Sequence, residues 1–176
     1  MTPAQAQACA EVSSGKRGKV PAPMIGWLLN PEMARRTQHL GELLRYDTSM
    51  SDDLVELAII VCARHWTAHV AWKAHKAYAL KAGLDPRITD AIAARQEPVF
   101  ADEKQRLVYE VSQALLKTSR VDDDLYARAV AVLGEVGIAE LAVLLGYYTI
   151  AAFTLNTFEL GQPEAMAPEL NDLQAS

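Results

Sequence analysis

Apolar residues along this chain recur every three to four positions, and strand-like alternation is absent. That period is the mark of amphipathic helices. The interruptions are equally legible. Asn30-Pro31 sets a capping side chain before a proline at the first helical position and opens a helix to about Tyr46. Ser51-Asp52-Asp53 opens the next, with acids on the positive end of the helix dipole. Gly83 is a natural helix stop, and Asp85-Pro86 starts a short helix through about Arg95. Pro98 separates that helix from 101–118, where Leu107, Val108, Val111, Leu115 and Leu116 keep the helical period. Asp122 opens a helix to about Gly134, and 138–160 is the last and most apolar, closed by Gly161-Gln162-Pro163.

The pattern predicts an all-α fold in three parts. Residues 1–22 are small, polar and punctuated by glycine and proline, and read as a flexible N-terminal arm, free or packed on a neighbouring subunit. Residues 23–162 form the helical domain, and 163–176 read as a C-terminal tail. One echo runs through the domain. LLRYDTSMSDDL precedes Glu56-Leu57-Ala58 much as LLKTSRVDDDL precedes Glu140-Leu141-Ala142. Duplication of a helical unit and chance likeness between amphipathic helices explain this about equally well.

Composition narrows the class. A chain of 176 residues, 51% of them hydrophobic, is long enough for one domain with a real core. The net charge of −5 is spread along the chain, which argues against nucleic acid and anionic membranes as partners. Cys9 and Cys62 make no disulfide framework, so a reduced, cytoplasmic setting is expected. Arg64, His65, Lys73 and Glu140 interrupt the apolar runs, so no stretch is expected to supply the roughly 20 residues of a membrane span. The N-terminus shows no apolar segment of the secretory kind.

The chemistry concentrates in CARHWTAHVAWKAHK, residues 62–76, which holds three of the four histidines. Three readings compete. His65 and His69 stand one helical turn apart, but Trp66 follows His65 where a metalloprotease helix carries glutamate, and a metal would need a third ligand from elsewhere. Cys62 lies in the apolar run ELAIIVCA, where a thiol is usually inert, and no C-x-x-C occurs. In the third reading, Glu56, Arg64, His65 and His75 are ionisable groups in an apolar segment. Burying them is costly unless they pair with one another or serve a ligand. A structural ion network at a helix or subunit interface is the plain alternative. In one straight helix Glu56 and His75 would stand about 28 Å apart, so a shared site needs a break between them. Thr67 is the best candidate, its hydroxyl capping a new helix near Ala68.

The stretch ELAIIVCARHWTAHVAWKAHKAYALKAGL resembles the core of the carboxymuconolactone decarboxylase and alkylhydroperoxidase D-like superfamily. Set on the peroxidase pattern E-x11-C-x2-C-x3-H, Glu56 takes the glutamate place and His75 the histidine place, while Ala68 and Ala71 stand at both cysteine places. DTSMSDDLVELAI, KAGLDPRITDAI and GIAELAVLLGYYT extend the likeness over about 22–162 toward the longer, decarboxylase-like members.

The resemblance implies an alkylhydroperoxidase D-like helical bundle that assembles as a homotrimer or homohexamer, with its pocket near a subunit interface. Peroxidase chemistry by a thiol pair is not expected, because alanine supplies neither thiol. The Tyr-Glu-Trp run of many other members reads Val70-Ala71-Trp72 here.

The implied activity is a cofactor-free, metal-free lyase acting on a small carboxylated lactone or related aromatic-catabolism acid. His75 would transfer the proton and Glu56 orient it. Arg64 or His65 would bind the substrate carboxylate, and Trp72 would form an apolar wall. Tyr147 or Tyr148 and Asn156 would add hydrogen bonds. A non-catalytic oligomer that binds small acids is the alternative.

Overall fold

The computed structural model describes residues 1–161 and 169–170. Among them are eight helices and no strand: α1 (Pro3–Ser14), α2 (Ala22–Trp27), α3 (Pro31–Tyr46), α4 (Asp52–His65), α5 (His69–Lys81), α6 (Pro86–Ala93), α7 (Glu103–Thr118) and α8 (Asp123–Thr157). The all-α expectation holds. The helix starts fall where the caps stand. Asn30, Asp85, Asp102 and Asp122 each accept a backbone N–H from the first turn that follows. Ser51 precedes α4 without capping it; its hydroxyl bonds Asp53 instead, at 2.6 Å.

Helix α4 is the axis of the fold. Every residue from Leu54 to Arg64 is buried, and α5, α6, α7 and α8 pack around it. A helix apolar on all sides belongs at the centre of a bundle. Each of its fully covered leucine, isoleucine and valine side chains contributes about 1.5–3 kcal/mol of burial. The two echoed phrases occupy matching places, each closing one helix and opening the next, at α3–α4 and α7–α8. The carboxylate of Glu140 reaches back to the first of these junctions, accepting from the Ser49 N–H at 2.9 Å and its hydroxyl at 2.5 Å.

The reading of 1–22 as a loose arm fails for Pro3–Ser14. Thr2 and Gln5 form a reciprocal capping box, Pro3 sits in the first turn, and Ala8 and Val12 are buried as α1 packs on α3. Two small apolar residues, one turn apart, and the Glu11–Arg35 ion pair at 2.6 Å carry this contact, and so short an apolar stripe does not stand out in a polar segment. The 163–176 tail lies largely outside the described residues. Of its described part, Leu170 is buried and Glu169 accepts from the Trp72 indole at 3.2 Å.

Gly134 interrupts α8 with φ 74° and ψ 164°, where the sequence marks a stop; helix resumes at once rather than at 138. By length and composition α8 is long and apolar enough to cross a membrane, contrary to the expectation from charge placement. Residues 141–158 contain no charged side chain. In this fold Leu141, Leu144, Leu145 and Tyr148 turn into the core, while Val143, Ile150 and Phe153 are exposed.

The break between α4 and α5 is the feature that shapes the site. Thr67 adopts φ 48°, the Thr67 N–H bonds the Arg64 carbonyl, and the Ala68 N–H bonds the Ala63 carbonyl at 2.8 Å. These two bonds are a Schellman stop with a β-branched residue in the left-handed position that glycine usually takes. The Thr67 hydroxyl does not cap α5, whose first residue follows Ala68. It lies 3.4 Å from the Arg64 guanidinium instead. Substituting Thr67→Gly relieves a strain of about 1 kcal/mol. The variant is expected to keep the fold with an equal or higher midpoint in urea unfolding, whereas Thr67→Val, which keeps the branch and loses the hydroxyl, is expected to unfold earlier.

Candidate active site

Two oxygens of one carboxylate organise the site. Glu56, in the second turn of α4, places Oε2 at 2.6 Å from Nδ1 of His75, midway along α5. Its Oε1 accepts from Nη2 of Arg45, in the last turn of α3, at 2.8 Å. Glu56 and His75 are only 5% and 8% exposed, so the pair is shut away from bulk water. The chain reversal at Thr67 joins two residues that a straight helix would hold apart. The Arg45 guanidinium also lies over the rings of Tyr46 and Tyr78, 5.0 and 4.8 Å from their centres. The His75 ring meets Tyr148 edge to face at 4.9 Å.

Burial pushes the His75 imidazole below its usual 6.5, and the charges of Arg45 and Arg17 push the same way, against the pull of Glu56. Burial works to raise Glu56, but the hydrogen bonds and charges of His75 and Arg45 hold it below 4.5. At neutral pH the glutamate is therefore ionised and the histidine neutral. A carboxylate only accepts, so the ring proton sits on Nδ1 and Nε2 keeps a free lone pair.

His75 lines a cavity of about 290 Å³ enclosed by α2, α3, α5, α8 and the 15–21 linker. Its polar lining includes Arg17, Lys19, Arg45, Tyr78, Tyr147 and Tyr148; Trp27, Val70, Ala71 and Leu155 are among the apolar walls. Several polar atoms here are covered and meet no hydrogen-bond partner: Nε and Nη2 of Arg17, Nε of Arg45 and the Tyr148 hydroxyl. Each such orphan costs about 1–3 kcal/mol. Burial holds both Tyr147 and Tyr148 phenols above their usual range, so both remain neutral. Tyr147 reaches its place because residue 41 is glycine; a Cβ there would fall 2.0 Å from the phenol oxygen. A second cavity, also about 290 Å³, meets Glu56 from its other side, lined by Asp52, Lys81 and the shared Arg45 and Tyr78.

Of the residues singled out in the sequence, Glu56, His75, Tyr147 and Tyr148 come together. Arg64 and His65 do not. They line a separate cavity of about 220 Å³ with Arg95 and Lys117, and Arg64 Nε bonds the Ala93 carbonyl at 2.8 Å. They follow Glu56 by two turns of α4, and the helix carries them to its far end. Trp72 is buried on another face of α5, its indole held by Glu169. Asn156 donates to the Trp66 carbonyl at 2.9 Å and so closes the end of α4.

The rival readings of the 62–76 stretch fare as follows. His65 ends α4 and His69 opens α5, so they no longer share a helix face, and no cluster of three or more ligating side chains occurs among the described residues. Burial pushes the Cys62 thiol up to about 12, and its Sγ lies 3.7 Å from the Leu145 carbonyl. That thiol is an inert core group. Sequence reasoning missed Arg45 and Arg17. Arg45 looked like an ordinary cation at a helix end, and Arg17 lay in the presumed loose arm. The one available signal for Arg17 was GKRGK, three cations interspersed with two glycines.

The buried pair makes stability depend on pH with a definite sign. Above pH 6.5 His75 is neutral both folded and unfolded, so its contribution is fully present. Below that value the unfolded chain takes up a proton that the folded chain resists, and stability falls. The Glu56 contribution is lost only as the pH drops below 4.5. Urea unfolding is expected to show a decline in stability as the pH falls below about 6.5, and His75→Gln is expected to reduce it. The residual slope belongs to His65, which burial, Arg95 and Lys117 also hold low. An unchanged slope in the variant would contradict a neutral buried His75.

No protein-family model matches this chain, and no curated protein matches it.

Proposed function

We propose that this protein is a carboxymuconolactone decarboxylase-like lyase that releases carbon dioxide from a small carboxylated lactone, or a related aromatic-catabolism acid, by acid–base chemistry without a cofactor. The observation that carries the reading is the buried Arg45–Glu56–His75 chain, which ends in an imidazole on a cavity with unsatisfied cationic and phenolic donors. The proposal includes a cytoplasmic subunit of the alkylhydroperoxidase D-like type that assembles with copies of itself. The exposed Val143, Ile150 and Phe153 of α8 are the surface such an assembly would cover.

The chemistry follows from charge. The substrate enters as a carboxylate beside Arg17 and Arg45. Its negative charge offsets the burial that keeps His75 neutral, so Nε2 takes up a proton from solvent. The bond between the ring carbon and the carboxylate then breaks. Carbon dioxide leaves, and the electron pair spreads into the lactone as a dienolate. The neutral Tyr148 hydroxyl donates to the developing oxyanion. Nε2 delivers its proton to the far end of the dienolate, the ring carbon next to the lactone carbonyl, so that the double bond shifts to give the enol-lactone and neutral His75 returns. One proton is consumed for each carbon dioxide released. Glu56 keeps the ring in the Nδ1–H form and steadies the imidazolium, and Arg45 keeps Glu56 ionised.

A second reading, a small-acid binder without turnover, draws on the cavity lining: among the described residues that line it there is no cysteine and no carboxylate. One assay separates the two. Purified protein given 4-carboxymuconolactone is expected to release carbon dioxide, His75→Gln to lower turnover at least a hundredfold, in keeping with the usual worth of general acid–base catalysis, and Glu56→Gln to lower it about tenfold or more. Saturable binding with no release would leave the binder reading in place, and a fully active His75→Gln would remove the imidazole from the mechanism.

A further inference from the structure

The linker between α1 and α2 carries Gly15-Lys16-Arg17-Gly18-Lys19, of which the catalytic reading uses only the positive charge of Arg17. Its two ends are anchored. On one side α1 packs on α3; on the other, α2 packs on α8 and its Trp27 indole donates to the Thr154 hydroxyl at 2.7 Å. Between these anchors the linker runs along the cavity and supplies part of its wall. Lys16 turns outward to pair with Asp47, and Lys19 Nζ lies 3.4 Å from the Tyr78 hydroxyl. Gly18 takes φ 68° between Arg17 and Lys19, which both line the cavity, while Lys16 faces outward; that conformation is costly for most other residue types.

We propose that Arg17 is the residue that recognises the substrate's carboxylate, and that the 15–21 linker is a strap that confers selectivity for anions on the cavity. The proposal rests on reading this cavity as a small-acid site. Nε and Nη2 form one edge of the guanidinium, the edge whose two parallel N–H groups grip both oxygens of a carboxylate side on. These are the two atoms of Arg17 that are covered and unpartnered. Arg45 offers no equivalent edge, because its Nη2 is already committed to Glu56. The fork is closed off from water in this arrangement, so a ligand reaches it when the strap lifts. Besides the contact of Arg17 itself with the Tyr147 phenol, the ties that hold the strap are an ion pair between half-exposed side chains and one long lysine–phenol contact. Such surface pairs contribute only about 0–1 kcal/mol.

The strap divides the labour in the cavity. Arg17 holds the acid group of the ligand, and His75, on the opposite helix pair, faces the carbon to be protonated. Arg17 is thus a recognition residue, and the ring tautomer of His75 is left to Glu56.

Benzoate and its uncharged counterpart benzamide test this without turnover. Both are small enough for the cavity, and Trp27 in its wall reports binding by fluorescence, with calorimetry as a second readout. Wild-type protein is expected to bind benzoate at least tenfold more tightly than benzamide. Arg17→Gln is expected to abolish that preference by weakening benzoate while leaving benzamide unchanged, which also shows that the cavity is intact. Arg17→Lys is expected to restore part of it. His75→Gln is expected to retain the preference, so a protein that never releases carbon dioxide but discriminates through Arg17 would sink the decarboxylase reading and leave this one standing. Equal affinity for the two ligands in the wild type, no saturable benzoate binding, or a preference that survives in Arg17→Gln would each overturn the proposal.

Discussion

A buried carboxylate shared between an imidazole and a guanidinium is the constraint on which the rest of this structure turns. Glu56 lies inside the most covered helix of the fold, where an unpaired charge would cost several kcal/mol. It is tolerable there only because α3 delivers Arg45 to one oxygen and α5 delivers His75 to the other. Three helices are thus held in register by one side chain. The benefit is specificity of arrangement more than net stability, since buried ion pairs recover little beyond their desolvation cost.

That constraint explains the local oddities. A threonine in the left-handed region is unusual, yet it ends α4 and starts α5 within three residues, and so folds Glu56 back onto His75. Gly41 is needed so that α3 and the Tyr147 phenol can approach closely enough to close the cavity. Glu140, the echo of Glu56 in the second half of the chain, does not line the cavity; it fastens the loop that positions the start of α4. The two echoed glutamates therefore shape one region, one through its hydrogen bonds to Arg45 and His75 and the other through the loop before α4.

Much of this was legible in the sequence, and the parts that were not share a cause. Helix starts could be read because caps act within four residues: Asn30, Asp85 and Asp122 declare themselves locally. The Glu56–His75 pairing could be anticipated from a family-like offset and a required break near Thr67. The assignment of Arg64 and His65 to the same pocket failed because proximity in sequence on a helix is not proximity in space; two turns of α4 separate them from Glu56. Arg45 and Arg17 escaped notice because their roles are wholly tertiary. Nothing near Arg45 hints at a carboxylate eleven residues on, and α1 hides behind a polar composition although Ala8 and Val12 dock it.

The claim at the centre is a protonation state: ionised Glu56, neutral His75, the proton on Nδ1 and a bare Nε2 at the cavity. Nitrogen-15 NMR of the histidine side chains at neutral pH, assigned through His75→Gln, reads it directly. The account predicts that His75 shows one protonated and one unprotonated ring nitrogen with the proton on Nδ1, and that Glu56→Gln disturbs this fixed tautomer. A ring protonated on Nε2 alone, or an imidazolium at pH 7 in the unliganded protein, would contradict it.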